Sequence, residues 1–193
     1  MKNILLLLLT FITLITNGQN NKIIYIQPLG NVSDELISTI KSNVEKFYGY
    51  TCKIKTKVSF SKELLADSKT RYEASRILNK FKSKENILII TDKDIACKKG
   101  KLREWGIFGL GVRPGSTCVI STFRMKANVT KAKLYERVTK VSIHELGHNL
   151  GIPHCTSDRK CLMNDAKGTI KQVDQEGLYI CRKCFEKIQK NKI

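Results

Sequence analysis

The chain has 193 residues and a formal net charge of +18, because 35 lysines and arginines outnumber 17 aspartates and glutamates. This length suits one domain with a real hydrophobic core, and we see no internal repeat, linker or second domain. The positive charges are spread along the chain without an aromatic-interleaved or arginine-rich motif, which favours a solvated lysine-rich surface over a nucleic-acid-binding protein.

Residues 1–18 have the pattern of a signal peptide. A lysine follows the first methionine, an apolar run occupies residues 4–15, and small residues precede a cut before Gln19. The apolar run is short for a membrane span, although an uncleaved membrane anchor is the alternative. We therefore predict a secreted or periplasmic protein in which residues 19–193 form a single domain with no stable membrane span.

The first half of the chain alternates apolar runs of strand character with runs of helical spacing, which predicts a mixed α/β (α+β) fold. The run Asn86–Thr91 is apolar on both faces, so we expect it to be a central buried strand. Strands are predicted at residues 22–27, Cys52–Val58 and Asn86–Thr91, and helices from Ser33 to Gly49 and from Ser68 to Lys82.

In the second half, strands are predicted at Trp105–Leu110 and Thr117–Thr122, with a turn between them that contains Pro114 and Gly115. One long helix should follow from Lys131 to Leu150. Its apolar residues cover much of its circumference, so we expect it to be mostly buried. A short helix is predicted at residues 185–189.

The end of the long helix carries the sequence His144-Glu145-Leu146-Gly147-His148, which continues through Gly151 to His154 and Cys155. Two histidines four residues apart lie on one helical face, where both can reach one zinc ion. Gly151 favours the end of the helix, so that His154 can return as a third ligand. Three ligands leave a fourth position open, which is typical of a catalytic site, and Glu145 can act there as general base. The chain has three histidines, and all of them lie in this stretch.

Four cysteines follow in two close pairs, Cys155 with Cys161 and Cys181 with Cys184. This spacing favours a closed four-thiolate zinc site. Two disulfides are the alternative, because a signal peptide predicts an oxidising destination. The other three cysteines, Cys52, Cys97 and Cys118, are expected to be free thiols, although one pair among them could form a disulfide.

At these residues the chain resembles the archaemetzincin family, whose motif is H-E-x-x-H-x-x-G-x3-C-x4-C-x-M-x17-C-x-x-C. The run between Met163 and Cys181 has the family's 17 intervening residues. The chain departs from the motif between Cys155 and Cys161, where five residues stand in place of four. The resemblance is specific from about Val141 to Cys184.

This resemblance implies a metzincin-like zincin domain: a mixed β-sheet, a long zinc-binding active-site helix and a small C-terminal four-cysteine zinc subdomain. It implies two zinc ions per chain, one catalytic and one structural, with Met163 in a tight turn under the catalytic metal. It also implies that an extended peptide or protein substrate pairs with an edge strand, here about Trp105–Leu110.

The sequence thus predicts a zinc-dependent peptidase in which Glu145 is the general base. The resemblance also implies aminopeptidase action on small peptides. That action needs a group to hold a free α-amine, and Asp92, Asp94 and Glu104 are candidates, although solvated loop carboxylates are the simpler interpretation. The alternatives from other classes are a non-catalytic zinc-dependent peptide-binding module and a basic nucleic-acid-binding protein, and the oligomeric state is not indicated.

Overall fold

The computed structural model describes residues 22–190, so the predicted signal peptide at residues 1–18 lies outside the described residues. The helices are α1 (Asp34–Tyr48), α2 (Ala74–Lys80), α3 (Lys131–Asn149), α4 (Ile170–Gln175) and α5 (Arg182–Lys190). The strands are β1 (Ile23–Leu29), β2 (Thr51–Ile54), β3 (Tyr72–Glu73), β4 (Asn86–Thr91), β5 (Ile95–Lys99), β6 (Leu102–Ile107), β7 (Gly109–Gly111) and β8 (Thr117–Ser121). Short 3-10 turns occupy Lys62–Leu64 and Phe123–Met125.

The strands form two sheets. The larger one has the order β2-β1-β4-β8-β7, and every pair in it is parallel except β7 with β8. The smaller one has the order β3-β5-β6. Among the strands of residues 22–190, β7 pairs only with β8, so it is the last strand at that side of the larger sheet.

Strand β4 lies at the centre of the larger sheet, as its continuous apolar run predicts. Leu88 and Ile90 pack with the residues of α1 and α3 on one face, while Ile87 and Ile89 pack with α2 on the other. Covering a sheet with helices on both faces makes both sets of alternating side chains part of the core.

Helix α3 is buried from Arg137 to Asn149, which confirms the prediction of a mostly buried helix. It begins where the Thr130 hydroxyl accepts a hydrogen bond from the Lys133 backbone N–H at 3.2 Å. Its buried cations are paired: Arg137 contacts both Asp174 oxygens, and Lys140 contacts Glu136 at 2.7 Å. A helix held on all sides in this way is a rigid platform for the residues near its C-terminal end.

Two predicted elements have different bounds. The helix predicted from Ser68 begins at Ala74, because Tyr72 instead joins the smaller sheet and its backbone N–H donates to the Asp94 carbonyl at 2.9 Å. The single strand predicted at Trp105–Leu110 is divided between the two sheets at Phe108. The strand predicted at Cys52–Val58 is shorter, since regular pairing ends at Ile54.

No helix within residues 22–190 has the length and apolar content that crossing a membrane requires.

Candidate active site

His144 and His148 lie one helical turn apart near the end of α3, with ring centroids 4.6 Å apart. Each ring is oriented by a backbone carbonyl: His144 Nδ1 donates to Leu162 O and His148 Nδ1 donates to Ile152 O, both at 2.7 Å. Since a carbonyl can only accept, each Nδ1 carries the proton and each Nε2 keeps its lone pair. Orientation of a histidine ligand by a hydrogen bond to its other nitrogen is typical of metal sites.

Helix α3 ends in a left-handed turn, with Gly151 at φ 87°. The backbone N–H of Ile152 donates to the carbonyl of Gly147 at 3.0 Å, which closes the last turn and reverses the chain. This reversal brings His154 Nε2 to 3.2 Å from His148 Nε2.

The three histidines offer nitrogen atoms that all lie within 4.8 Å of one another. Nitrogen ligands at the usual zinc distance of about 2.0–2.1 Å, in tetrahedral geometry, are about 3.4 Å apart. Burial lowers the pKa of His144 to about 3, with a further contribution from His148, so this ring is neutral. Three imidazoles whose nitrogen atoms converge in this way form a donor set that fits zinc and leaves one position open.

Glu145 is buried beside these rings and lies against strand β7. Burial raises the pKa of its carboxyl to about 8, and a hydrogen bond from the backbone N–H of Gly111 acts in the opposite direction. The strand approaches so closely that a Cβ atom on Gly109 would lie 2.7 Å from Glu145 Cγ and 2.8 Å from Oε1. A Cβ on Gly111 would lie 2.6 Å from the Glu145 carbonyl oxygen. The two glycines therefore fix where the Glu145 side chain can lie.

We expect Gly109→Ala to lower kcat by about 10- to 100-fold, because the new methyl group would displace the Glu145 carboxylate. Zinc content should not change, since the three atoms nearest to a Cβ on Gly109 all belong to Glu145. The measurement is peptide hydrolysis together with metal analysis of the same preparation.

Gly49→Ala is the control, because Gly49 has a left-handed φ of 68° but no atom within 4 Å of its Cβ position. The control should lose about 1 kcal/mol of stability and keep its kcat, whereas equal kcat losses in both variants would contradict the positioning role.

Met163 lies directly beneath the helix that carries the histidines. It is fully buried, and a Cβ atom on Gly147 would approach its Sδ to 2.6 Å. Gly147 is therefore the residue of the motif that allows the methionine to pack against α3. This position under the histidines agrees with the Met-turn that the resemblance implies.

The second cluster brings together the four cysteines that follow the histidines. Their Sγ atoms all lie within 4.8 Å of one another, and Cys155 Sγ is 3.6 Å from Cys181 Sγ. Sulfur ligands of a tetrahedral zinc at about 2.3 Å are about 3.8 Å apart, whereas a disulfide bond is about 2.05 Å long. All seven cysteines of the chain are free thiols in the structure, so neither of the disulfide alternatives is formed. The set of four sulfurs fits zinc.

The additional residue between Cys155 and Cys161 is accommodated by a turn around Asp158. Its carboxylate accepts hydrogen bonds from the Lys160 backbone N–H and the Tyr179 hydroxyl, both at 2.8 Å. Its carbonyl accepts one from the Cys161 N–H at 3.1 Å. The longer loop therefore keeps both sulfurs in the cluster.

A cleft of about 530 Å³ opens above the histidines. It is lined by β7, by Trp105 of β6, by the segment from Asp165 to Gly168, and by Val173 and Glu176. Cys97 also lines the cleft, whereas Cys52 and Cys118 are buried elsewhere.

The carboxylates suggested for holding an α-amine do not line this cleft. Asp94 is held by Arg71 and Arg124 at 2.7–2.9 Å, and Glu104 accepts hydrogen bonds from Ser68. Asp92 accepts the backbone N–H of Asn31 at 2.9 Å. The acidic residues that do line the cleft besides Glu145 are Asp165 and Glu176. Sequence reasoning missed both, because neither belongs to a recognisable motif.

A buried helix that presents two histidines and a glutamate to a cleft, with a third histidine from the following loop, defines a zinc-dependent metallopeptidase of the metzincin type. A family model described as Peptidase family M54 matches residues 40–190, and the chain belongs to that family, which is the family of the archaemetzincins. It is therefore a zinc metallopeptidase.

Individual relatives agree with this assignment. The archaemetzincin of Archaeoglobus fulgidus is 29% identical over 167 residues, which cover 86% of this chain and 98% of that protein. The archaemetzincin of Methanocaldococcus jannaschii is 29% identical over 172 residues, covering 86% and 92%. The crystal structure of the Archaeoglobus fulgidus protein complexed with malonate matches with a TM-score of 0.74 and 28% identity, over 86% of this chain and 99% of that one.

Proposed function

We propose that the chain hydrolyses peptide bonds at a zinc ion held by His144, His148 and His154, with Glu145 as the general base. The observation that carries this proposal is the position of Glu145. Its buried carboxylate is next to the histidines in sequence, lines the same cleft and is held by the Gly111 N–H. A site that only bound metal or peptide would have no use for a carboxylate positioned there.

We further propose that the substrate binds as an extended strand along the outer edge of β7. This strand lines the cleft, and on its other side it pairs with β8. Main-chain hydrogen bonds to an unpaired strand edge can bind a peptide whatever its side chains. Such binding would place a peptide carbonyl between β7 and the three histidines.

The chemistry then divides between the metal and the chain. Zinc, when bound at such a site, polarises a carbonyl and acidifies a water molecule. Glu145 takes the proton of the attacking water and delivers it to the leaving amine. Gly109 and Gly111 keep the carboxylate in place, and the carbonyls of Leu162 and Ile152 keep the two helical rings in the tautomer that leaves Nε2 free.

The four cysteines are proposed to hold a second, structural zinc ion, which makes two per chain. Coordination by four thiolates closes the site and leaves no position for water. It also protects the thiols from oxidation, which reconciles reduced cysteines with the secreted or periplasmic destination that residues 1–18 predict. Amino-terminal sequencing of protein recovered from the cell exterior or periplasm tests that destination, and an uncut Met1 would contradict it.

The proposed function predicts that a brief chelator treatment abolishes hydrolysis of a fluorogenic peptide while one zinc ion per chain remains. The histidine site has an open position, and its third ligand is exposed, so its metal should leave first. Added zinc should restore activity. Metal analysis before and after treatment gives the count, and hydrolysis that persists after all zinc has been removed would contradict the proposal.

Aminopeptidase action is a finer form of the same proposal. It predicts that peptides with a free amino terminus are cleaved and that their acetylated counterparts are not. Equal cleavage of both would show endopeptidase action instead.

A further inference from the structure

We propose that Glu176 is a specificity-determining residue of the cleft, which receives the cationic side chain of a lysine or arginine in the substrate. This inference rests on the proposed peptidase function, since it concerns the same cleft. A preference for one kind of substrate side chain cannot come from the proposed metal ligands or from the main-chain edge of β7.

Glu176 follows α4 and lines the cleft that β7 also lines. Its side chain is among the most buried acidic groups of the described chain, with 5% of the residue exposed. It has one weak polar contact, a hydrogen bond of 3.3 Å from Gln172 Nε2 to Oε1. A carboxylate in this position is nine-tenths buried and yet borders the space where substrate binds.

The neighbouring cation Lys140 attracts the charge of Glu176 but forms no ion pair with it. Within residues 22–190, no lysine or arginine forms an ion pair with it. The nearby buried cations are already engaged: Lys140 contacts Glu136 and the carbonyl of Val173, and Arg137 contacts Asp174. Burial raises the pKa of Glu176 to about 7, although the Gln172 hydrogen bond and the charge of Lys140 act in the opposite direction.

The surroundings suit a long side chain with a charged tip. Val141 of α3 and Val173 of α4 line the same cleft and provide apolar surface for the methylene stem. Lysine and arginine bury such stems while placing the charge at a polar group. Asp165, which is exposed and also lines the cleft, adds a second negative charge, while the exposed Lys167 nearby in sequence adds a positive one. A neutral substrate side chain would form no ion pair with Glu176, and an acidic substrate side chain would be repelled by it.

The experiment uses Trp105, the one tryptophan of the chain, which lines the cleft and can report binding by its fluorescence. The probes are acetylated and amidated tetrapeptides that differ at one central position, which carries lysine, norleucine or glutamate. They are titrated into the zinc-loaded wild type and into Glu176→Gln. We expect the wild type to bind the lysine peptide at least about tenfold more tightly than the norleucine peptide, and Glu176→Gln to reduce this ratio to about twofold or less.

Glu85→Gln is the matched control, because Glu85 is an exposed carboxylate paired with Lys55 on the surface. It should keep the wild-type preference, which excludes a general effect of net charge. Equal affinities for lysine and norleucine peptides in the wild type would overturn the inference, and this comparison does not depend on the variant folding. So would a preference for the lysine peptide that survives Glu176→Gln.

The same titrations separate this inference from the proposed function. Selective binding without cleavage of any peptide would remove the peptidase mechanism and leave the role of Glu176 intact. Cleavage with no preference for cationic residues would support the peptidase mechanism and overturn the role of Glu176.

Discussion

Replacing Glu145 with alanine is expected to lower kcat for peptide hydrolysis by about 10²- to 10⁴-fold, the range for loss of a positioned general base. The zinc content should remain that of the wild type, because the three histidine nitrogens that converge do not depend on the carboxylate. Both quantities can be measured on one preparation. The fold should also survive, since burial raises the pKa of this carboxyl and so its removal relieves an unfavourable desolvation.

Glu63→Ala provides the control, because Glu63 is an exposed carboxylate that pairs with Lys80 on the surface. Its kcat should equal that of the wild type. Unchanged turnover in Glu145→Ala with full zinc content would falsify the general-base role. Another group of the cleft would then have to accept the proton of the water.

The histidine cluster could be predicted from the sequence because its geometry is local. Four residues along a helix place His144 and His148 on one face, and the glycine at position 151 predicts the reversal that returns His154. The cysteine cluster was predictable for a similar reason, since paired thiols at short spacing are typical of zinc sites.

The walls of the cleft could not be predicted in this way, because they depend on tertiary contacts. Gly109 and Gly111 look like ordinary strand glycines, and their importance follows from the close approach of Glu145, which lies more than 30 residues further along the chain. Glu176 has no motif around it and becomes visible only when α4 packs beside α3.

The division of the strand predicted at Trp105–Leu110 has the same origin. Its apolar pattern continues through Phe108, so the sequence alone indicates one element. In the structure, β6 pairs with β5 and β7 pairs with β8. The two halves of the predicted strand therefore belong to different sheets. Strand partners are chosen by contacts distant in sequence, which local patterns do not specify.

The cysteine cluster is linked to the active site through the backbone around it. Cys155 directly follows His154, and its N–H donates to the Met163 carbonyl at 2.7 Å. Leu162, next to Cys161, provides the carbonyl that orients His144. The segment that holds the sulfurs thus also holds two of the three histidine rings.

We therefore expect Cys161→Ser to abolish most of the peptidase activity, although the residue does not line the cleft. Loss of one thiolate should release the proposed structural zinc; zinc binding contributes several kcal/mol to folding in small zinc modules. His154 and the Leu162 carbonyl would then lose their fixed positions, and the catalytic site should bind zinc more weakly. The expected result is less than one zinc ion per chain at moderate chelator concentration, together with a lower Tm.

Cys52→Ser is the matched control, because Cys52 is a buried free thiol on β2 outside both clusters. It should lose some stability while keeping two zinc ions and the wild-type kcat, which separates loss of a metal ligand from loss of a buried sulfur. If Cys161→Ser retained both zinc ions and full activity, the four sulfurs would not form a structural metal site, and the positions of His154 and Met163 would have to be maintained by the apolar packing of Ile152 and Ile188 around them.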